Sequence, residues 1–514
     1  MTIQARYCNQ FPKIKMQSTI LSRYLVYLIS LLAAICSFYF YGPINYYFFN
    51  SDQAIHVLML NNFEWPADAY YWGQNRLGSF LPILALPFYK LFHAHPLWIL
   101  GILNYTFLLV SFWILQKYIK SLWGNLVLLA ILFFPHPSYY YILLIGHPYA
   151  AQIFCLSLSI HFFILFTNAF LESFTNPTSR EYSYGVSFIA FSFLSIWINE
   201  LSAMVYLGFF LFLYPLVIGS DRFFNYLLKE RKSLLKLWVY AIGSLVLGVL
   251  FIVYTKAYAY SDPSYGRIFI TTLSTIIEQG GYLGNQLLNI VLLRNHHSIF
   301  QCVFYFSFTI SVVLILKKKG TDVLFKTLLI SSILLFFVYW NYRSHFDVKY
   351  YIPIYVAAFA WIAYHLNSFS QVKQGVLFLA IAIPLFLSNT DYISITRSDK
   401  STLGMYDQAN LIPAGVAYGE YWDVYRLSGA TAGRIQGVSN NDWDFRNRHK
   451  LDSLKMFDRW FFYSKNLPDS LKQIGSEQVV LTDIKVRNTG KQYILMSDTL
   501  IEFTKLGSGP NNLK

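Results

Sequence analysis

Charge is what this chain of 514 residues has least of. Asp, Glu, Lys and Arg together make up 13% of it, against roughly 25% in a soluble globular protein. There is too little charge to solvate a surface of that size, and 55% of the residues are hydrophobic. Disorder, collagen and coiled coil each require a polar or strictly periodic composition and are excluded with it. Cysteine is scarce too: Cys8, Cys36, Cys155 and Cys302 all lie in or near the apolar part, so there is no disulfide framework. Internal repeats, low-complexity tracts, metal-ligand spacings, a Gly-rich phosphate loop and a nucleophile elbow are missing as well. No cofactor is expected, and nothing indicates a metal.

What is abundant is apolar runs and aromatics, the latter 19% of the chain with 41 Tyr and 46 Phe. Tyr and Trp favour the membrane–water boundary. Runs of about 20 apolar residues fall near 22–42, 97–116, 121–136, 147–168, 184–199, 201–218, 237–255, 298–316, 324–341, 350–367 and 374–390. The segment 77–93 is shorter and carries Pro82 and Pro87. If it crossed the bilayer, every later loop would change sides.

Basic residues are retained on the cytoplasmic side, and they favour a segment 77–93 that does not cross. With eleven spans, 17 Lys and Arg of residues 1–390 fall inside and 7 outside. The net charge of +14 is therefore a topology signal rather than a nucleic-acid footprint. The N-terminus is expected inside and the C-terminal tail outside. The first apolar run is too long for a signal-peptide core and reads as an uncleaved anchor.

The expected architecture is an all-α polytopic membrane domain over 1–390, with interfacial helices in a first external loop at 43–96. A small extracytoplasmic α/β domain over 391–514 follows. In the tail, EQVVLTDIKV and QYILMSDTLIEF read as strands. LDSLKMFDRWFFYSKNL reads as an amphipathic helix.

The polar residues gather at expected external positions. Asp52, Glu64, Asp68 and Arg76 lie among aromatics in the first loop. Residues 52–62 place Ile55, Leu58 and Met59 on one helical face, as in a helix lying in the interface, with Ser51 as its cap. Arg343, His345, Asp347 and Lys349 precede a late span, and His147 and Glu200 sit at helix ends. Charge near membrane depth is costly and marks functional sites. Each also has a plainer reading: Asp52 as a helix cap, Arg76 and Lys349 snorkelling to the interface, Glu200 paired with a neighbouring base. The adjacent His296 and His297 do not face together on a helix.

Three motifs carry a resemblance. SDQAI with Asp52 follows the first run and leads into YYWGQNRLGSFLPILALPFYKLFHAHP; VKYYIPIY enters a late run; GEYWDVYRLSG lies in the tail. Together they resemble the membrane-embedded GT-C glycosyltransferases, in the bacterial branch of protein mannosyltransferases and aminoarabinose lipid A transferases. Gln53 stands where that family often has Glu, and Lys349 where Arg is usual. The resemblance implies a sugar donor linked to polyprenyl phosphate, drawn from the lipid bilayer, and an envelope glycan, lipid or protein acceptor. It implies Asp52 as general base. Arg76, Arg343, Lys349 and His345 would meet the leaving phosphate. Tyr71, with its aromatic neighbours, would stack on a sugar, and Glu200 and His147 would line the site. The expected external tail has no Asn-x-Ser/Thr sequon, which favours a bacterial plasma membrane over the endoplasmic reticulum. The rival expectations are a secondary transporter or flippase, whose polar residues would sit at mid-membrane, and a non-catalytic assembly protein.

Overall fold

The computed structural model describes residues 20–45, 49–172, 179–208, 231–259, 273–293, 296–320, 322–342, 348–390, 414–439, 460–464, 484–489 and 492–497. The helices are α1 (Ile20–Tyr41), α2 (Ser51–Asn61), α3 (Phe80–Phe92), α4 (Pro96–Leu115), α5 (Leu122–Phe133), α6 (Tyr149–Glu172) and α7 (Ser179–Ile198). They continue with α8 (Arg231–Tyr258), α9 (Leu273–Val291), α10 (His296–Lys319), α11 (Val323–Tyr342), α12 (Ile352–Leu366) and α13 (Gln371–Ser388). Strand β1 (Gly415–Gly419), helix α14 (Tyr421–Ala430) and strands β2 (Ile435–Ser439), β3 (Trp460–Ser464), β4 (Ile484–Thr489) and β5 (Gln492–Ser497) follow.

The protein is a multi-pass membrane protein. Among the described residues, 5 helices are long and apolar enough to cross a bilayer, within α1, α4, α6, α10 and α13, and the latter half of α4's span runs on to Tyr118. Shorter apolar helices occur at Phe80–Phe92, Leu122–Phe133, Tyr182–Ile198, Ile242–Tyr258 and Leu324–Phe336. Most of the expected run 201–218 lies outside the described residues. Helix α3, in the ambiguous segment, has 13 residues, about 20 Å at the α-helical rise, against a hydrocarbon core of about 30 Å.

Local chemistry sets the helix ends. Helix α4 begins at Pro96, whose missing N–H costs nothing in a first turn, and the His95 side chain accepts from Leu97 N. Asp322 caps α11 by accepting the Phe325 N–H at 2.7 Å. The same carboxylate takes the His365 ring from the end of α12 at 2.6 Å. The main pairings are α6 with α7, α4 with α6, α5 with α12, and α10 with α13.

Helix α2 is more enclosed than a helix with one face on lipid: every residue from Gln53 to Leu60 is buried. Helix α14 covers one side of it, and α3 and α4 pack against it too. Its cap is Asn50, whose side chain accepts from Gln53 N. Ser51 is the first helical residue and turns its hydroxyl to α14.

The C-terminal strands form one mixed sheet in the order β2-β1-β3-β5-β4. Strand β1 is parallel to β2 and β3, and β5 is antiparallel to β3 and β4. This overturns the amphipathic helix expected around Trp460: residues 460–464 form the central strand, and the remainder of that segment lies outside the described residues. Trp460, Phe461, Phe462 and Tyr463 are four consecutive aromatics. Such a run favours a strand with neighbours on both sides over a two-faced helix.

Candidate active site

Asp52 stands in the first turn of α2, where the helix dipole favours a negative charge. Its side chain is 28% exposed. Oδ1 accepts the Tyr421 hydroxyl at 2.9 Å and the Tyr71 hydroxyl at 3.3 Å. Oδ2 lies 3.9 Å from His147 Nε2. The Tyr71 hydroxyl lies equally near the Asp52 backbone carbonyl, at 3.3 Å. Oδ1 is thus held chiefly by Tyr421, with Tyr71 sharing its proton between Oδ1 and that carbonyl, while Oδ2 faces an imidazole. Tyr71 comes from the first loop, Tyr421 from the first residue of α14 and His147 from the turn before α6.

Helix α2 also holds the turn that carries His147. The Gln53 side-chain oxygen accepts the Ile145 N–H at 3.3 Å. The Ile145 carbonyl is bonded to His56 Nδ1. A carbonyl can only accept, so His56 is protonated on Nδ1. Burial pushes the His56 pKa down to about 4, so the ring is neutral. Between these anchors Gly146 touches the helix itself: a Cβ there would overlap the Asp52 carbonyl carbon and the Gln53 nitrogen. Glycine at 146 is what lets the turn close over the carboxylate. His56, Tyr71, Gly146, His147 and Asn104 of α4 line a small cavity beside it.

Lys349 reaches the group through rings. Its Nζ lies 5.4 Å from the Tyr141 ring centroid, within cation–π range. Tyr141 meets His147 edge-on at 4.8 Å. Lys349, Tyr141, His147 and Asp52 therefore form one continuous series. Arg76 lies on the loop that Tyr71 begins, and its Nε donates to Gln74 Oε1 at 3.1 Å. That loop is closed by the Tyr71 N–H on the Leu77 carbonyl at 2.8 Å and anchored by the Gly78 N–H on the Trp197 carbonyl at 3.0 Å.

The other candidates lie elsewhere. Glu200 forms an ion pair with Lys256. Its charge also acts on Tyr70, whose phenol is pushed up to about 12, mainly by burial. Tyr71 belongs to the Asp52 group itself: it is buried, its hydroxyl meets Asp52, and its ring lies 5.4 Å from His56. Asp68 closes the first loop by accepting the Trp72 indole N–H at 2.7 Å and the Glu64 N–H at 2.8 Å. Arg343 and His345 lie outside the described residues. No group of three or more His, Cys, Asp or Glu that could hold a metal occurs among the described residues.

Sequence reasoning missed Tyr421, His56 and Gly146 as parts of this site. Tyr421 lies inside GEYWDVYRLSG and Gly146 beside His147, so both were marked by neighbourhood but not by role. Nothing local signals a contact across 369 positions of sequence.

The chain shares its fold with solved structures of ArnT, the kind of protein the resemblance pointed to. It matches ArnT from Cupriavidus metallidurans in the apo state over 96% of this chain and 100% of that one, with TM-score 0.57 and 11% identity. It also matches ArnT from Cupriavidus metallidurans bound to undecaprenyl phosphate, over 96% and 100% of the two chains, with TM-score 0.54 and 12% identity. No protein-family model and no curated protein matches the chain.

Proposed function

We propose that the chain is a glycosyltransferase. It moves a sugar from a polyprenyl-phosphate carrier to an envelope lipid, glycan or protein at the outer face of a bacterial plasma membrane. Residues 1–390 form the membrane domain and 391–514 an extracytoplasmic domain. The observation that carries this reading is Asp52, with one oxygen held by Tyr421 and Tyr71 and the other 3.9 Å from His147. The ArnT structure bound to undecaprenyl phosphate shares the fold, which supports a lipid of that chemistry as the carrier.

In the reaction, Asp52 accepts the proton of the acceptor hydroxyl. The acceptor oxygen forms a bond to the anomeric carbon, on the face opposite the carrier. The bond from that carbon to the phosphate oxygen breaks, and its electron pair leaves with the polyprenyl phosphate. The sugar passes through a cation-like transition state, as in glycoside hydrolysis. The departing phosphate needs positive donors more than a proton. Lys349, Arg76, Arg343 and His345 serve there, and His147 stands between the Tyr141 ring that Lys349 covers and the base.

The test compares envelope glycans by mass spectrometry in a deletion strain carrying the wild-type chain or Asp52→Asn. The expected result is a glycan present with the wild type and lost with Asp52→Asn, while its carrier-linked sugar accumulates. Full product from an inserted and folded Asp52→Asn chain overturns the reading and favours a transporter or an assembly protein.

A further inference from the structure

The C-terminal segment could be a passive cover over the membrane part. Its contacts with α2 argue otherwise. Helix α14 lies along α2 from the first residue of α2 to the last. Ser51 donates its hydroxyl to the Tyr421 and Trp422 carbonyls, at 3.1 and 3.0 Å. Gly429 packs on Ala54, where a Cβ would come within 2.7 Å of Ala54 Cα. The Asn61 amide donates to the Ala432 carbonyl. His95, just before α4, lies 3.3 Å from the Ala430 carbonyl through Nε2. These contacts fix α14 against the helix that bears Asp52, and the side chain at the end of α14 nearest Asp52 is Tyr421.

We propose that Tyr421 is a positioning residue for Asp52. Its hydroxyl is the nearer donor to Oδ1, at 2.9 Å, assisted by that of Tyr71, which is shared with the Asp52 carbonyl. Oδ2 is therefore the oxygen that takes the acceptor proton, and the C-terminal segment completes the site. A carboxylate in a first helical turn can rotate about two side-chain bonds. Two donors on one oxygen, arriving from different segments, remove that freedom and direct the second oxygen. Tyr421 is 6% exposed. Burial and the Asp52 charge both raise its phenol well above the usual tyrosine value, so it remains a donor throughout the working pH range. The pairing joins the tail to the first loop, and docking of the tail becomes a condition for turnover.

The inference rests on the glycosyltransferase reading, and the experiment separates the two. The full-length protein is assayed in detergent with carrier-linked donor lipid extracted from the deletion strain and with that strain's envelope fraction as acceptor. Release of undecaprenyl phosphate is followed by mass spectrometry. Tyr421→Phe removes one hydroxyl and keeps the ring. It is expected to lower kcat by about ten- to a hundredfold, the worth of a hydrogen bond to a charged group, while KM for the donor stays within about twofold. Because both phenols hold one oxygen, the loss on adding Tyr421→Phe to Tyr71→Phe should differ from its loss in the wild type. A merely structural role for Tyr421 would give independent losses and a lowered unfolding temperature.

Tyr421→3-fluorotyrosine keeps the packing and changes the strength of the donor. It is expected to change kcat even if the Phe variant does not fold. If Asp52→Asn abolishes release while Tyr421→Phe and Tyr421→3-fluorotyrosine keep full kcat, the positioning proposal is overturned and the enzyme reading stands. If Asp52→Asn also releases undecaprenyl phosphate at the full rate, the enzyme reading itself falls.

Discussion

His147 Nε2 stands 3.9 Å from Asp52 Oδ2, and the same imidazole ring meets Tyr141 at 4.8 Å between centroids. His147 therefore lies between the candidate base and the ring that Lys349 covers. An imidazole there can orient the carboxylate on one side and lend positive character toward the departing phosphate on the other. His147→Ala is expected to reduce kcat by about tenfold or more, read as release of the proposed polyprenyl phosphate carrier by the purified chain. A change within about twofold would remove His147 from the site.

Gly146 allows this arrangement by having no side chain. A Cβ at 146 would overlap the peptide between Asp52 and Gln53. Both sides of the clash are backbone, so neither can yield by a rotamer change. Gly146→Ala should cost about 1–3 kcal/mol of stability, the usual range for overpacking. The catalytic effect should be larger, because a shift of about 1 Å in a reacting group can cost about a hundredfold. Thermal unfolding and turnover, measured on one preparation, check both. Wild-type turnover in Gly146→Ala would mean that the turn over Asp52 plays no part in catalysis.

The helical membrane part was legible in the sequence because apolar runs and basic loops report the bilayer directly. Asp52, His147 and Lys349 were legible as charged or titratable groups at the ends of those runs. Tyr421 and His56 were not, because their roles depend on packing between distant segments. Helix α2 was legible as a helix, since Ile55, Leu58 and Met59 carry the period. The amino-acid pattern does not show that α14 would cover a second side and bury His56 with them. The aromatic run Trp460–Tyr463 was misread because its flanking charges imitate helical periodicity. Its strand neighbours β1 and β5 lie about 40 residues before and 30 after it, a separation no local window spans.

Lys349 offers a cation whose ammonium lies over Tyr141 and Tyr350, 5.4 and 5.5 Å from their centroids. Aromatic faces favour an ammonium beside them, and this one lies in the series that leads through Tyr141 and His147 to Asp52. Lys349→Met should raise KM for the carrier-linked donor by about tenfold or more. Lys349→Arg keeps the charge and should recover most of the loss. Equal KM values for Lys349→Met and wild type would return Lys349 to a snorkelling role.

His56 makes the stability of the site depend on pH, with a definite sign. Its ordinary pKa of 6.5 is lowered to about 4 in the folded chain, chiefly by burial. Between those values the unfolded chain binds a proton that the folded chain does not, so stability rises with pH. The contribution is fully present above about pH 6.5 and is lost as pH falls through 4, by about 3 kcal/mol in all. Protonation would also place a charge inside α2, one turn from Asp52, where the ring now donates to the Ile145 carbonyl. His56→Asn keeps a donor for that carbonyl and removes the titration. In detergent, the wild-type unfolding temperature is expected to fall between pH 7 and pH 4 more steeply than that of His56→Asn. Identical slopes would mean that the ring is solvated and protonates freely, and that the helix under Asp52 is looser than its packing implies.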